Sequence, residues 1–201
     1  MHPNRAFHWD DREALLGFAS KRSFAHIFSA TDDGLFVVHA PVLVVDGKVW
    51  FHIARRNRMV DQIDGRTILA SISGRDGYQS ANWYASNDQV PTWHYEAVEI
   101  DGPARRLSDD ELVELLDRLS EVMERRHSPK APWTRDKMTP GKFEAMTKAI
   151  VGFELDPVAV RGTRKFNQHK TGEDLRATID GQAGAGRPDI VEAISELTRD
   201  D

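Results

Sequence analysis

The sequence of 201 residues contains no cysteine. Disulfides, thiolate metal sites and cysteine nucleophiles are therefore excluded, and the composition agrees with a reducing compartment. No stretch approaches the roughly 20 consecutive apolar residues needed to cross a bilayer. The first residues are polar and do not form the apolar core of a secretory signal. We therefore expect a cytoplasmic protein that does not associate with membranes.

Basic residues are in the minority. The chain has 27 lysines and arginines against 32 acidic residues, which gives a formal net charge of −5. Binding to nucleic acid through phosphate neutralisation requires a concentrated basic face, and the sequence has no helix-turn-helix pattern. We expect at most weak, salt-sensitive binding to DNA.

Motifs for metal binding and nucleophilic catalysis are also absent. The histidines show neither HxH nor HExxH spacing, and no serine lies in a nucleophile elbow. Isolated histidines in strands are more often structural residues than ligands. We therefore predict no metal site and no catalytic residue, and keep haem binding through a strand histidine as a weaker alternative.

Alternating apolar residues predict five or six strands before residue 107. The clearest hairpin runs from Leu35 to Arg55 and turns at Asp46-Gly47. Since no helix of about 12 residues separates these strands, an antiparallel barrel is favoured over a parallel sheet. A late strand between residues 151 and 166 is expected to rejoin the barrel.

Helices are predicted at residues 10–22, 108–127 and 139–150, the last with Thr139 as cap and Pro140 at its first position. Two further helices, 171–179 and 188–197, are separated by the glycine-rich stretch 181–186, which we interpret as a flexible tether. The predicted fold class is α+β, mainly β with added helices. We divide the chain into a domain of residues 1–170 and a C-terminal helical extension of residues 171–201.

A cluster of arginines follows the strand that ends near Ala54. Arg55, Arg56 and Arg58 flank Asn57 at the start of a short helical stretch. Guanidinium groups beside a helix N-terminus supply the charge and the N–H donors that a phosphate dianion requires. The alternative is a solvated charge cluster at a strand exit.

Two aromatic stretches are candidates for the walls of a pocket for a planar ring. One contains Trp83 and Tyr84, and the other is the predicted strand 90–98, in which alternation places Trp93 and His94 on opposite faces. The alternative is that these aromatic residues fill the barrel core. A third polar stretch, Arg164–Lys170, has several hydrogen-bond donors around one apolar residue.

These stretches, in their order along the chain, resemble the PaiB family of FMN-binding negative transcriptional regulators. They resemble more remotely the flavin split barrels related to pyridoxamine-phosphate oxidase. Trp83-Tyr84 and Pro91-Thr92-Trp93 are the most specific parts of the match. The chain departs from the family pattern at Ala81-Asn82, at His94, and at Asn167 and His169. The matching stretches are His39–Pro41, His52–Asn57, Ser80–Tyr84, Val90–Val98, Ala149–Glu154 and Lys165–Lys170.

The resemblance implies a homodimeric split β-barrel that binds FMN at the interface between its subunits. Arg55, Arg56 and Asn57 would hold the phosphate, with His52 and Ser80 nearby, and Trp83 or Trp93 would border the flavin ring. The other residues that the resemblance assigns to the cofactor site are His39, Tyr84, Lys165 and Gln168. The implied function is transcriptional regulation, and the alternative is a flavin-dependent oxidoreductase on the same fold.

Overall fold

The computed structural model describes residues 2–198, so residue 1 and the last three residues of the predicted C-terminal extension lie outside the described part. Residues 2–198 form eight strands and five α-helices, in similar proportions. The strands are β1 (His8–Trp9), β2 (Phe24–Thr31), β3 (Gly34–Val45), β4 (Lys48–Ala54), β5 (Thr67–Gln79), β6 (Thr92–Arg106), β7 (Ile150–Leu155) and β8 (Ala159–Lys165). The helices are α1 (Arg12–Arg22), α2 (Asp109–His127), α3 (Lys142–Thr147), α4 (Gly172–Gly184) and α5 (Pro188–Thr198).

The strands pair in the order β1-β8-β6-β5-β2-β3-β4-β7, and β6 also pairs with β7. The pairings from β2 to β7 therefore form a closed cycle, as in a barrel. The predicted antiparallel α+β fold is confirmed. Within residues 2–198, no helix has both the length and the apolar character of a membrane span.

The chain forms two compact units, each built from separate stretches. The barrel unit comprises Arg12–Ile72 and Glu99–Val160. The α4–α5 unit comprises the chain up to Asp11, Ser73–Val98 and the chain from Arg161 onward. It thus combines the predicted C-terminal extension with strands of the predicted first domain, and the division at residue 170 stays a prediction.

Tight turns organise the barrel unit. The predicted hairpin turns at Asp46 and Gly47, which both have positive φ (49° and 79°), the conformation of a two-residue hairpin turn with right-handed strand twist. Inside the barrel, the rings of Phe51 and Phe153 stack with centroids 5.8 Å apart. Strand β6 passes so close to the segment after β7 that a Cβ on Gly102 would lie 1.9 Å from the carbonyl oxygen of Asp156.

Helix α2 covers part of the barrel. It begins with the predicted capping box, in which the Ser108 hydroxyl accepts from the Glu111 amide and the Glu111 carboxylate accepts from the Ser108 amide. Its apolar stripe, including Leu112 and Leu115, packs in one cluster with Leu43 of β3. Such burial of one helical face supplies most of the stability of a helix in a globular protein.

Helix α3 is shorter than the predicted helix at 139–150. Gly141 has a φ of 77°, which a helix interior does not accommodate, so the helix begins after it. The amide of Lys142 donates to the carbonyl oxygen of Thr139 at 3.0 Å, which makes Thr139 part of a preceding turn rather than the helix cap. Strand β7 begins at Ile150 and ends the helical segment early.

In the α4–α5 unit, β1 pairs with β8, with His8 opposite Thr163 and Trp9 opposite Gly162. Its apolar core joins Phe166 to three residues of α5, among them Ile190 and Ile194.

The predicted flexible tether at 181–186 is wrong for residues 181–184, because α4 continues to Gly184. The reason is tertiary, since the buried Gln182 side chain donates to the carbonyl oxygen of Tyr78 at 2.9 Å and so fixes this turn of the helix.

Candidate functional site

The turn after β4 is held by Asn57. Its backbone amide donates to the carbonyl oxygen of Ala54 at 2.8 Å, and its side-chain Oδ1 accepts from the amide of Met59 at 3.0 Å. The Val60 amide then donates to the Asn57 carbonyl at 3.0 Å. A side chain that bonds to the backbone two residues later is the usual way in which asparagine fixes such a turn.

The three arginines of this turn have different surroundings. Arg55 donates from Nε to the carbonyl oxygen of Lys148 at 2.6 Å and from Nη2 to that of Ile150 at 3.1 Å. The guanidinium of Arg58 lies over the ring of Phe36, 3.8 Å from its centroid. The side chain of Arg56 is exposed and has no hydrogen bond or ion pair with any residue in the range 2–198.

Two backbone donors of the same turn are also uncommitted. Within the described chain, the amides of Arg56 and Arg58 have no hydrogen-bond acceptor. A cavity of about 480 Å³ adjoins the turn and is lined by Leu35, Phe36, Val37, Asn57, Arg58 and Met59. Uncommitted amides beside a free guanidinium form an anion-binding arrangement. The turn therefore has the donor set that a phosphate group requires.

The two histidines predicted for the site lie in the barrel unit. His52 is half-buried on β4, where burial lowers its pKa, and its Nδ1 is buried without a hydrogen-bond partner among residues 2–198. His39 is exposed on β3 and makes an edge-to-face contact with His26, with ring centroids 4.7 Å apart. The lowered pKa favours the neutral form of His52, and its unpaired Nδ1 is enclosed by the protein.

One face of the β2–β3 hairpin is apolar and exposed. Phe28 lies opposite Val37 and is 40% exposed, and Leu35, opposite Ala30, is 85% exposed. His39 belongs to the same face, because cross-strand partners point to the same side of a sheet. This surface is not evident from the sequence. The residues of β2 alternate, but both faces of the strand carry apolar residues, so the pattern does not indicate which face is buried.

In the α4–α5 unit, the predicted alternation of β6 is confirmed. Trp93 is 51% exposed, and its indole Nε1 donates to Asp76 Oδ1 at 3.1 Å. His94 is fully buried, its ring stacks on Phe166, and its Nε2 donates to Gln79 Oε1 at 3.1 Å. Burial lowers the pKa of His94 to about 4. The interpretation of Trp93 as a core residue is therefore wrong, whereas His94 is a structural core residue.

The second aromatic stretch begins at Ser80, whose hydroxyl caps a short 3₁₀ turn by accepting from the Asn82 amide at 3.2 Å. Trp83, which ends this turn, is half-buried. The hydroxyl of Tyr84 accepts from Asn167 Nδ2 at 2.8 Å, and burial raises the pKa of the phenol. The Tyr84 ring is thus held at its hydroxyl, and both aromatic residues stay partly exposed.

The last two predicted site residues are engaged within the α4–α5 unit. Lys165 Nζ donates to the hydroxyl of Thr92. Gln168 accepts from the Phe166 amide at 2.8 Å and donates to the carbonyl oxygen of Ala6 at 3.0 Å. Gln168 therefore has a structural role in this unit.

The predicted site residues fall into two groups. The barrel unit contains His39, His52, Arg55, Arg56 and Asn57, and the α4–α5 unit contains Ser80, Trp83, Tyr84, Trp93, Lys165 and Gln168. Within the barrel unit, the turn after β4 brings Arg55, Arg56 and Asn57 together. The assignment of each residue to a cofactor contact stays a prediction.

The closed antiparallel barrel is similar to the folds of flavin-binding split barrels, and solved structures share this fold. The flavocytochrome Anf3 from Azotobacter vinelandii superposes with a TM-score of 0.61 at 16% identity, over 85% of this chain and 73% of that chain. The FAD and heme binding protein from Mycobacterium smegmatis gives a TM-score of 0.56 at 16% identity, over 89% of this chain and 80% of that chain. At such low identity the likeness concerns the fold alone.

Sequence similarity identifies the family. Residues 1–157 match the family described as "Putative FMN-binding domain", and the chain belongs to that family. The chain is also 27% identical over 206 aligned residues to the Bacillus subtilis (strain 168) protein named "Protease synthase and sporulation protein PAI 2". The alignment covers 100% of this chain and 97% of that relative. The resemblance to the PaiB family is therefore confirmed, and FMN is the cofactor of the family to which the chain belongs.

Proposed function

We propose that this protein is an FMN-binding regulator of the PaiB type. The turn after β4 is the observation on which the binding mode rests. Within residues 2–198 the Arg56 guanidinium and the amides of Arg56 and Arg58 have no partner, and Arg58 lines a cavity beside the turn. The regulatory role is supported by similarity over the whole chain to a relative whose name refers to protease synthesis and sporulation. FMN, when bound, supplies a redox-active ring that a regulator can use as a sensor.

In this proposal the residues of the turn have separate tasks. Arg56 and the amides of Arg56 and Arg58 bind the phosphate of FMN. Arg55 and Asn57 hold the turn in shape, because their side chains are already engaged with the backbone. The half-buried His52 on β4 is proposed to lie near the phosphate. Trp83 or Trp93 is proposed to border the flavin ring.

We also propose that the protein is a homodimer that associates through the exposed face of the β2–β3 hairpin. Exposed apolar patches on soluble proteins commonly mark interaction surfaces. A second copy of the chain is the proposed occupant, since this face carries Phe28, Leu35 and Val37 together with His39, which the resemblance assigns to a site at the subunit interface.

Binding to DNA is proposed to be weak and sensitive to salt. Helix α2 carries seven acidic residues and three arginines, which makes it a poor surface for DNA. The basic residues of the turn after β4 are proposed to be occupied by the cofactor phosphate. A tight, sequence-selective gel shift at physiological salt would contradict this proposal.

An absorption spectrum of the purified protein, recorded before and after addition of FMN, tests the cofactor assignment. A bound flavin band together with a rise in melting temperature is expected, since a ligand at 100 times its dissociation constant adds about 2.7 kcal/mol to the free energy of unfolding. A colourless protein whose melting temperature does not change in excess FMN would refute the proposal. Steady oxidation of a reduced nicotinamide would support the oxidoreductase alternative, and a Soret band after haem titration would support haem binding.

A further inference from the structure

Helix α4 contacts the segment Trp83–Gln89, which is part of the connection between β5 and β6. This segment carries the predicted cofactor residues Trp83 and Tyr84. Beyond Trp83 this segment has neither helix nor strand structure, so its conformation depends on bonds to other parts of the chain. The family match ends at residue 157, and α4 begins at Gly172. The partner of this segment therefore lies outside the part of the chain that defines the family.

Asp174 in the first turn of α4 binds the backbone of the segment. Its Oδ1 accepts from the amides of Ala85 at 3.0 Å and Ser86 at 2.9 Å, and its Oδ2 accepts from the hydroxyl of Ser86 at 2.7 Å. The hydrogen bonds from Ser86 lower the pKa of the carboxyl group. One carboxylate thus satisfies three donors of a segment that has no regular secondary structure.

Gly181, two turns further along α4, faces Trp83. A Cβ built at this glycine would lie 2.6 Å from Cγ and Cδ2 of the indole, closer than real contacts allow. Glycine is therefore required here so that the helix backbone can approach one side of the Trp83 ring. The neighbouring Gln182 is buried and bonded to the end of β5, which fixes the distance between helix and strand.

Two residues just before α4 hold the other parts of the same segment. Asn167 donates to the Tyr84 hydroxyl at 2.8 Å, and Lys170 donates to Gln89 Oε1 at 2.8 Å. The Lys170 ammonium also lies 5.2 Å from the centroid of the Tyr84 ring. The segment is thus attached to the C-terminal part of the chain at its beginning, middle and end.

We infer that α4 is a positioning element for the flavin ring, with Asp174 and Gly181 as its positioning residues. The inference rests on the proposed function, in that Trp83 borders the ring of bound FMN. Neither positioning residue touches the ligand in this scheme. They keep the segment in its binding-competent conformation, and the apparent dissociation constant of a ligand rises in inverse proportion to the fraction of molecules that retain this conformation.

Asp174→Ala tests this role, with Glu173→Ala as the matched control. Glu173 is an exposed acid in the same first turn, so its removal reproduces the loss of charge at the helix N-terminus without loss of the three bonds. If Asp174→Ala leaves the segment ordered in about one molecule in ten, the dissociation constants for both FMN and riboflavin rise about tenfold. The equal effect on the two flavins is diagnostic, because riboflavin lacks the phosphate. Asp174→Asn keeps an acceptor oxygen and is expected to restore most of the affinity.

Gly181→Ala provides an independent test, with Gly184→Ala as its control. A Cβ at Gly184 meets nothing within 4 Å, so both changes raise helix propensity but only the first collides with Trp83. Gly181→Ala is expected to weaken both flavins and to shift the visible band of the bound flavin. Gly184→Ala is expected to leave affinity and spectrum unchanged.

Hydrogen exchange of the free protein separates this inference from the proposed function. Faster exchange of the Ala85 and Ser86 amides in Asp174→Ala, with unchanged exchange in β2, is the expected sign of local loosening. If the wild type binds no flavin although exchange changes as expected, the proposed function fails and the structural link stands. If the wild type binds FMN and both variants match their controls in affinity, spectrum and exchange, the positioning role of α4 is refuted.

Discussion

Replacing Arg56 by glutamine removes the one guanidinium of the turn after β4 that has no partner among residues 2–198. A hydrogen bond to a charged group contributes about 1.5–3 kcal/mol. The dissociation constant of FMN is therefore expected to rise about 10-fold to 150-fold. The free energy of unfolding of the free protein should change little, because the exposed side chain supports no other part of the fold.

Arg55→Gln is the matched control, since it removes the same charge one residue earlier. Its guanidinium donates to the carbonyl oxygens of Lys148 and Ile150, so its loss should lower the free energy of unfolding by about 1 kcal/mol at this exposed position. The affinity for FMN should fall less than in Arg56→Gln. The two replacements thus separate contact with the phosphate from support of the turn.

Titration with FMN and with riboflavin, followed by flavin fluorescence at fixed ionic strength, provides the measurement, and urea unfolding reports stability. Riboflavin affinity should be the same in Arg56→Gln and the wild type. If the preference for FMN over riboflavin survives Arg56→Gln, the phosphate does not bind at Arg56. If Arg55→Gln alone abolishes that preference, Arg55 exchanges its carbonyl partners for the phosphate and the assigned roles are wrong.

Three further predictions concern stability and association. The fold favours the neutral form of His94, so its contribution to stability is complete above the unfolded pKa of about 6.5. The free energy of unfolding should fall by up to about 3 kcal/mol as the pH drops to 4. Urea midpoints at several pH values measure this decrease, and His94→Gln should give a flatter profile. Gly102→Ala forces a methyl group onto the carbonyl oxygen of Asp156 and should lower the free energy of unfolding by more than about 3 kcal/mol, as measured by thermal unfolding. Gly17→Ala is the control and should not destabilise the protein, because the space around its Cβ is open. Phe28→Asp should convert the proposed dimer to a monomer, as measured by sedimentation velocity. Val158→Asp is the control, because Val158 is 77% exposed and lies outside the hairpin face, and it should leave the dimer intact. A dimer that persists in Phe28→Asp would refute the proposed interface.

Local signals in the sequence predicted much of the fold. Asp46-Gly47 specified a hairpin because few other residue pairs accept positive φ at both positions, and Ser108 with Glu111 specified the start of α2. Alternation in β6 separated the faces of Trp93 and His94. In each case, the determining contacts lie within a few residues of one another along the chain.

The site was less predictable because its determinants are distant in sequence. Three arginines in one short stretch look equivalent until the carbonyl groups of Lys148 and Ile150 are placed beside Arg55. The glycines of α4 have low helix propensity and suggested a tether. Gly181 nevertheless lies within the helix, and its lack of a side chain leaves the space that Trp83 occupies. Neither the role of Arg55 nor that of Gly181 can be deduced from the local pattern.

The pairing of β1 with β8 has a consequence for the order of folding. His8 and Thr163, which lie opposite each other, are far apart in the sequence. Closure of so long a loop carries an entropic cost, and during synthesis the first strand has to wait until β8 has emerged. The strands β2 to β4 are neighbours in sequence and can pair much earlier. We therefore expect refolding with an early phase in the barrel unit and a slow late phase in which β1 joins β8, a phase that a chain ending at residue 157 cannot complete.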